Sequence, residues 1–453
     1  MARIMMTLTQ AAQHLHASLV GPGEHTFLQV ATDSRRIKPG DLFVALRGPH
    51  FDGHDFVEQA LAQGAIGAIV DRLYPSTKVR PVIVVEDTTS ALGQLAYAWR
   101  QQMRVKILAI TGSSGKTTVK EMLATILRQA FGDEAVLATG GNFNNHIGLP
   151  LTLLSLRASH RFAVIEMGMS DFGEIRYLTH LAKPDVAMVN NAQAAHLEAL
   201  GSVEGVARAK AEIFEGLSEK GIAIINNDEP LADIWRQAAR AFTPLTFGLT
   251  QADVQAKDIS LQPLGSRWEL IVQKSAVPVQ LNVPGLHNVQ NALAAATMAS
   301  TCGLSALQIA QGLAQFTGVK SRLNQKKAFN GAVLIDDTYN ANPGSIKAAI
   351  DVLMQFPAPR LLILGDIGEV GEEAAQIHRR LGIYAKEKGV ELLLTLGENM
   401  RFAAIAFEGE HFTQIDALIM RAREVMPSNS TVLVKGSRFM RMERVVAALE
   451  VAA

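Results

Sequence analysis

The sequence predicts an α/β protein of three domains, and three observations carry that prediction. The chain has 453 residues, enough for about three domains at roughly 150 residues each. From residue 105 onward, short apolar runs alternate with amphipathic segments, the pattern of parallel strands covered on both faces by helices. One of those runs passes through a glycine turn straight into a helix at 106–127, an arrangement that sets backbone N–H groups around an anion. Hydrophobic residues make up 48% and charged residues 19%, which supplies packed cores and leaves little reason for disorder.

The elements follow in order. Residues 1–85 form a small α/β domain with strand-like runs at Asp41–Leu46, Gly67–Val70 and Pro81–Val85, and a helix near Phe56–Gln63. A capped helix opening at Ser90 leads out of it. Residues 86–317 carry the strands Lys106–Ile110, Phe162–Glu166, Asp185–Asn190 and Gly221–Ile225, then antiparallel strands within 256–283 as an edge extension. Helices His287–Ser300 and Ser305–Phe316 close this central domain. After a hinge at Gly318–Arg322, residues 318–453 repeat the alternation with strands Val333–Asp336, Leu361–Gly365, Glu391–Leu396 and Thr431–Lys435, a second, Rossmann-like unit.

Charge and cysteine usage narrow the classes. Lys plus Arg total 43 and Asp plus Glu total 43, so the basic excess of a nucleic-acid binder is absent. The lone Cys302 rules out a disulfide framework and a cysteine-rich metal site and fits a reducing compartment. No apolar run approaches the roughly 18 residues of a membrane span. The segment Met1–Gln13 turns polar too early for a secretory signal. A soluble, cytoplasmic protein is expected.

The sharpest local signal is Thr111-Gly112-Ser113-Ser114-Gly115-Lys116-Thr117-Thr118 between a strand and a helix. Glycines admit phosphate close to the backbone, the helix start presents free N–H groups, Lys116 meets the β/γ-phosphates, and Thr117 offers a hydroxyl to Mg²⁺. The usual spacing wants a glycine five residues before Gly115, and Ile110 stands there instead.

Three downstream residues sit where an open α/β sheet gathers its ligands. Glu166 ends a strand and can ligate Mg²⁺ directly or through water; the plain alternative is a solvated strand end. His196 follows the next strand, as a ligand or as a surface histidine. Lys210 falls inside the apolar stripe 203, 206, 207, 213, 214 and 217, with Glu204, Arg208, Glu212 and Glu215 opposite. A lysine there snorkels, pairs with a carboxylate, loses its proton or is modified.

These motifs, in this order, resemble the ATP-dependent Mur ligases over essentially the whole chain, and the short phosphate loop is that family's own form. The resemblance implies that Asp33, Ser34 and Arg35, ahead of Pro39–Gly48, bind the UDP end of the substrate. It implies substrate contacts from Asn142, Asn144 and Asn145, and two Mg²⁺ held by Thr117, Glu166, His196 and a carbamylated Lys210. Asn288 and Asn291 would meet adenine, Arg322 and Asp337 the nucleotide from the third domain, and Asn340, Asn342, Lys435 and Arg438 the incoming amine. The Gly365–Gly371 loop with His378, and the absence of an Asp-Asn-Pro-Arg reader, point to the member that adds D-alanyl-D-alanine to UDP-N-acetylmuramoyl-tripeptide. That implies a monomeric cytoplasmic ligase of cell-wall precursor synthesis, with Lys116, His196 and Lys210 as its catalytic residues. Two rivals stand beside it. A folylpolyglutamate synthase shares the loop but not the 100-residue segment before residue 106. A nucleotide-driven switch or transporter would hydrolyse ATP without an amine acceptor.

Overall fold

Branched and small apolar residues fill the strand Lys106–Thr111, and the pleat sends them alternately to two cores. Ile107 and Ala109 face a cluster with Leu95, Trp99, Leu153 and Ile165. Leu108 and Ile110 face Val119, Met122, Leu123 and Ile126 on the other side. Both faces are therefore covered, as the unbroken apolar run requires. The computed structural model describes residues 5–75 and 81–451; the first four residues of the Met1–Gln13 segment read above lie outside them.

The chain forms three α/β domains, each around one main sheet. In the N-terminal domain five strands run in the order Ser18–Val20, Val82–Val85, Gly67–Asp71, Asp41–Val44, Gln29–Ala31, parallel except at the first pairing. The central sheet has nine strands. Val136–Ala138, Phe162–Glu166, Lys106–Thr111, Val186–Val189, Ile222–Asn226, Leu245–Gly248 and Val254–Gln262 pair in parallel, and Gly265–Val272 and Ser275–Leu281 extend them antiparallel. The C-terminal sheet has six strands, in the order Asn324–Lys327, Val333–Asp337, Thr431–Lys435, Arg360–Gly365, Leu392–Leu396, Glu410–Phe412.

The expected strands and helices are present, with instructive departures. The helix expected to open at Ser90 spans Thr88–Gln101, and Asp87 is its cap, accepting the Ser90 N–H. An aspartate one turn earlier competes well with serine for that position. Leu92, Leu95, Ala96 and Trp99 on this helix share one core with Ile69 and Ile83 below and Leu149 and Leu153 above, so it joins the first two domains as well as linking them. Several short strands escaped the sequence reading, among them Ser18–Val20, Gln29–Ala31, Val136–Ala138, Leu245–Gly248, Asn324–Lys327 and Glu410–Phe412. Asn324–Lys327 is wholly polar and is held as an edge strand only by its register against Val333–Asp336.

Sheet order positions the site. Lys106–Thr111 lies between Phe162–Glu166 and Val186–Val189, so the phosphate loop, Glu166 and Asn190 emerge side by side at one edge. The C-terminal domain brings its own strand ends, Asp337 and Lys435, to the same place; these two residues are register partners on adjacent parallel strands.

Candidate active site

A cavity of about 690 Å³ lies between the central and C-terminal domains. Its wall includes the loop Ser113–Thr118, Glu166, His196, Asn288, Asn291, Arg322 and Asp337. A groove of about 980 Å³ elsewhere, over Phe214, Ile234 and Phe242, gathers none of these residues.

The phosphate loop is held by Asn190, Asn191 and Gln193, amides that the sequence reading did not single out. Gly115 has φ +80°, and a Cβ there would sit 2.3 Å from Asn291 Oδ1 and 2.6 Å from Asn190 Nδ2. Only glycine fits both the conformation and the space. Asn190 donates to the Ser114 carbonyl at 3.0 Å and to Asn291 Oδ1 at 3.1 Å, and Asn291 donates to Asn288 at 3.2 Å. Asn191 accepts the Ser114 N–H at 2.8 Å, and Gln193 accepts the Ser114 hydroxyl at 2.9 Å. Their signal was position alone, just beyond a strand at the ligand edge. Asn288 and Asn291 are buried rather than solvent-facing: Asn288 donates to the Pro284 carbonyl at 2.8 Å, and Asn291 reaches the loop only through Asn190.

Lys116 curls back to donate to the Gly112 carbonyl at 2.6 Å. Burial pushes its pKa down, the Glu166 carboxylate opposes this, and Arg322 adds to it. Glu166 is 2% exposed. Its Oε1 accepts from Asn144 at 2.7 Å, while Oε2 is buried without a partner. The solvated-strand-end alternative is excluded.

Arg322 reaches in from the C-terminal domain, its Nη2 donating to Thr117 Oγ1 at 3.0 Å and its guanidinium 4.4 Å above the Tyr339 ring. Its Nε is buried and unpartnered. Asn342 caps the helix Pro343–Leu353 and donates to the Ser114 hydroxyl at 2.8 Å. Two side chains of one domain thus touch the phosphate loop of another. Arg322 Nε and Glu166 Oε2, a donor and an acceptor of residues in the cavity wall, are buried without partners.

Lys210 is 2% exposed, so it does not snorkel, and it makes no ion pair among the described residues. Burial and the nearby Lys116 drive its pKa well below the usual lysine range. Glu212, read above as lying on the solvated side of that helix, is buried instead and accepts the Gly173 N–H at 2.9 Å. The α-helix Val203–Ala211 tightens into a 3₁₀ turn at Glu212–Gly216, which rotates the following side chains inward. His196 has φ 56° and meets Glu369 of the C-terminal domain through Nδ1; burial lowers its pKa against the opposing carboxylate.

Other expected site residues are placed differently. Asn145 accepts the N–H groups of Ile147 and Gly148, a capping task at the start of Gly148–Leu154, and Asn142 is exposed and outside the cavity wall. Asn340 accepts the Ala341 N–H at 2.9 Å at the rim. Lys435 is not free to receive a carboxylate: it is 3% exposed and bonded to Asp337 Oδ2 at 2.7 Å. Arg438, paired to Glu443 at 3.1 Å, is the exposed cation beside it. Asp33, Ser34 and Arg35 lie on the N-terminal domain, away from this cavity. Arg35 chelates Asp33 at 2.9 and 2.8 Å and holds its carboxyl down at about 2.

Donor chemistry fits Mg²⁺ at the phosphate loop. Among the described residues no three His, Cys, Asp or Glu side chains converge, so a cation at Thr117 and the free oxygen of Glu166 must complete its shell with phosphate oxygens and water, as Mg²⁺ does. A second cation at His196 fits only if Lys210 carries an anionic group, because a bare amine is no ligand for a hard cation.

Three family descriptions tile the chain: "Mur ligase family, catalytic domain" over residues 26–100, "Mur ligase middle domain" over 110–299, and "Mur ligase, glutamate ligase domain" over 321–438. The chain belongs to the Mur ligase family. Within it, a UDP-N-acetylmuramoyl-tripeptide–D-alanyl-D-alanine ligase of Haemophilus influenzae is 42% identical over 454 residues, covering 99% of both chains. A crystal structure of MurF from Acinetobacter baumannii superposes with a TM-score of 0.91 at 36% identity, covering 98% of both. The MurF ligase of Thermotoga maritima, solved in complex with ADP, superposes at 0.82 with 28% identity, covering 93% of this chain and 96% of that one.

Proposed function

We propose that this protein joins D-alanyl-D-alanine to UDP-N-acetylmuramoyl-tripeptide at the expense of ATP, the amide-forming step its full-length relatives are named for. The observation that carries the reading is the contact of Arg322 and Asn342 with Thr117 and Ser114. A domain that presents the amine closes directly on the loop that holds the phosphates.

The chemistry sets what these residues must do. A carboxylate is a poor electrophile, so the γ-phosphoryl group passes to it and the amine then displaces phosphate from the acyl phosphate. Carboxylate and triphosphate repel, and cations must lie between them. Lys116 and Arg322 supply two, held by their neighbours before substrate arrives. Mg²⁺ bound by Thr117 and Glu166, with a second at His196 and carbamylated Lys210, would neutralise further phosphate charge. Asn144 orients Glu166, and Asn288 and Asn291 line the adenine end, Asn291 bracing the loop through Asn190. Catalysis is then positioning plus charge stabilisation, with domain closure about 318–322 keeping water from the acyl phosphate.

Asp33, Ser34 and Arg35, in a domain 1–85 set apart from the cavity, receive the UDP end; Arg438, Asn340 and Asn342 in the domain 318–453 receive the dipeptide. Phosphate loop and closing arginine come from one chain, so a monomer can carry the complete site. ATP as donor and the lone Cys302 support a cytoplasmic location. Phosphate release measured with UDP-N-acetylmuramoyl-tripeptide and D-alanyl-D-alanine, D-alanine, diaminopimelate, lysine or glutamate tests the reading. The dipeptide should exceed each single amino acid by roughly 10⁴, because polar groups built for its extra peptide unit stay unpaired otherwise. Faster turnover with a single amino acid would overturn the acceptor, and release independent of any amine would overturn the ligase.

A further inference from the structure

The helix Lys116–Phe131, which opens in the phosphate loop, carries a second lysine one turn further on. Lys120 is 1% exposed, and a protein interior accepts a lysine only where its charge and its donors are met. The Glu121 carboxylate meets the charge at 2.6 Å, and the Thr139 carbonyl accepts from Nζ at 2.6 Å. Thr139 directly follows Val136–Ala138, the edge strand of the central sheet. Its N–H donates to the Val164 carbonyl at 3.0 Å, and its hydroxyl accepts the Glu166 N–H at 3.0 Å. Gly140 and Gly141 come next, with open space around both. The chain is caught again at Asn144, whose carbonyl accepts the Gly168 N–H at 2.8 Å and whose side chain donates to Glu166 Oε1 at 2.7 Å. A Cβ on Gly168 would lie 2.9 Å from Asn144 Cγ, so loop and strand end touch there.

We propose that Lys120 is a positioning residue for the Glu166 carboxylate, acting through Thr139 and Asn144. The helix that begins in the phosphate loop thereby fixes where the loop 139–145 starts, and Asn144 in turn sets the orientation of Glu166 in the cavity wall. A hydrophobic side chain of similar volume would pack here without desolvating a charge. What it would lack is a donor for the last fixed carbonyl before two glycines. The inference rests on the ligase reading for the reaction it serves, and one of its readouts needs no acceptor amine.

Lys120→Met keeps the stem and removes the donor. In the full chain, kcat for phosphate release should fall roughly 10- to 100-fold, the scale of a small misplacement at a reacting centre, while calorimetric ADP affinity stays within twofold of wild type. Lys120→Arg, which keeps a charged donor, should retain more activity. In an Asn144→Ala background the same Lys120→Met change should lower kcat less than twofold, because the route is already cut. Amide hydrogen exchange at Gly168 should quicken about tenfold in Lys120→Met, with the helix Lys116–Phe131 still protected. Lys120→Gln, neutral and too short to reach, is read in the same way should Lys120→Met not fold. A kcat within twofold of wild type overturns the inference, as does an equal fold loss in the Asn144→Ala background or unchanged exchange at Gly168. Failure of both variants to fold would make Lys120 a residue of the core and overturn it as well. A wild-type chain that binds ADP yet never responds to the dipeptide would count against the ligase reading alone, and the exchange at Gly168 would still decide the role of Lys120.

Discussion

The guanidinium of Arg322 donates to the hydroxyl of Thr117 at 3.0 Å, across the boundary between two domains. Its stacking on Tyr339 at 4.4 Å fixes the plane of the fork, and the buried, unpartnered Nε is a donor waiting for an oxygen. Arg322→Ala should lower kcat by about 10²- to 10³-fold, the usual cost of losing one preorganised donor to transition-state charge. Arg322→Lys should recover little, since a lysine neither stacks nor presents a planar fork. Steady-state phosphate release, with thermal melts to confirm folding, checks both.

Lys116→Ala is expected to abolish turnover while the fold persists. The residue donates to the carbonyl of Gly112 from within the phosphate loop and belongs to none of the hydrophobic clusters around the central sheet. Retention of more than about a tenth of wild-type kcat, a barrier change under about 1.4 kcal/mol, would count against its phosphate role.

Lys210 should be carbamylated in the active enzyme. Burial and Lys116 both disfavour its ammonium form and leave the neutral amine, the state that reacts with carbon dioxide. Lys210→Ala should lose activity and regain part of it with added short-chain carboxylates. Labelling with ¹³C bicarbonate should give one carbamate resonance that this variant lacks; its absence from active wild-type enzyme would refute the modification.

Legibility in the sequence followed the range of the interactions. Strands such as Phe162–Glu166, buried along their whole length, announce themselves because both faces must be apolar. The phosphate loop was readable because strand, glycines and helix are consecutive. Asn190 and Asn191 were not, since a loop asparagine has the same composition whether it meets solvent or, as here, the carbonyl of Ser114. The pairing of Lys435 was not legible for a related reason: its partner comes from register with Asp337, 98 residues earlier. No local pattern encodes that pairing.

Acid should weaken the fold partly through His287. Burial and Lys435 lower its pKa to about 4 from an ordinary 6.5. The unfolded chain therefore binds the proton that the folded one refuses, and the stabilisation present above pH 6.5 is lost as pH falls toward 4. The shift is worth up to about 3 kcal/mol. Urea unfolding at pH 7.5 and 4.5 should show a smaller pH dependence in His287→Gln than in wild type; an identical dependence would remove His287 from the account.

The pair Lys435–Asp337 makes the opposite kind of prediction, because here both partners are charged and buried. Lys435 is 3% and Asp337 8% exposed, and the ammonium group also donates to the Asn340 carbonyl at 2.9 Å. Lys435→Ala leaves a carboxylate inside the domain with its partner removed, which costs about 3–5 kcal/mol. Lys435→Met with Asp337→Leu removes both charges and should recover most of that loss, although the cavity would lose its polar wall and activity with it. The pH dependence separates this from simple loss of packing. Burial already raises the pKa of Asp337 and Lys435 opposes that rise, so without the lysine the carboxyl should hold its proton to higher pH. A group whose folded pKa is raised stabilises the fold below its unfolded value of 3.8, and that contribution is lost as pH rises through the folded value. The deficit of Lys435→Ala relative to wild type should therefore be smaller at pH 4 than at pH 8 in urea unfolding. A deficit independent of pH would mean that the lysine stem, and not its charge, is what Asp337 and the surrounding strand ends require.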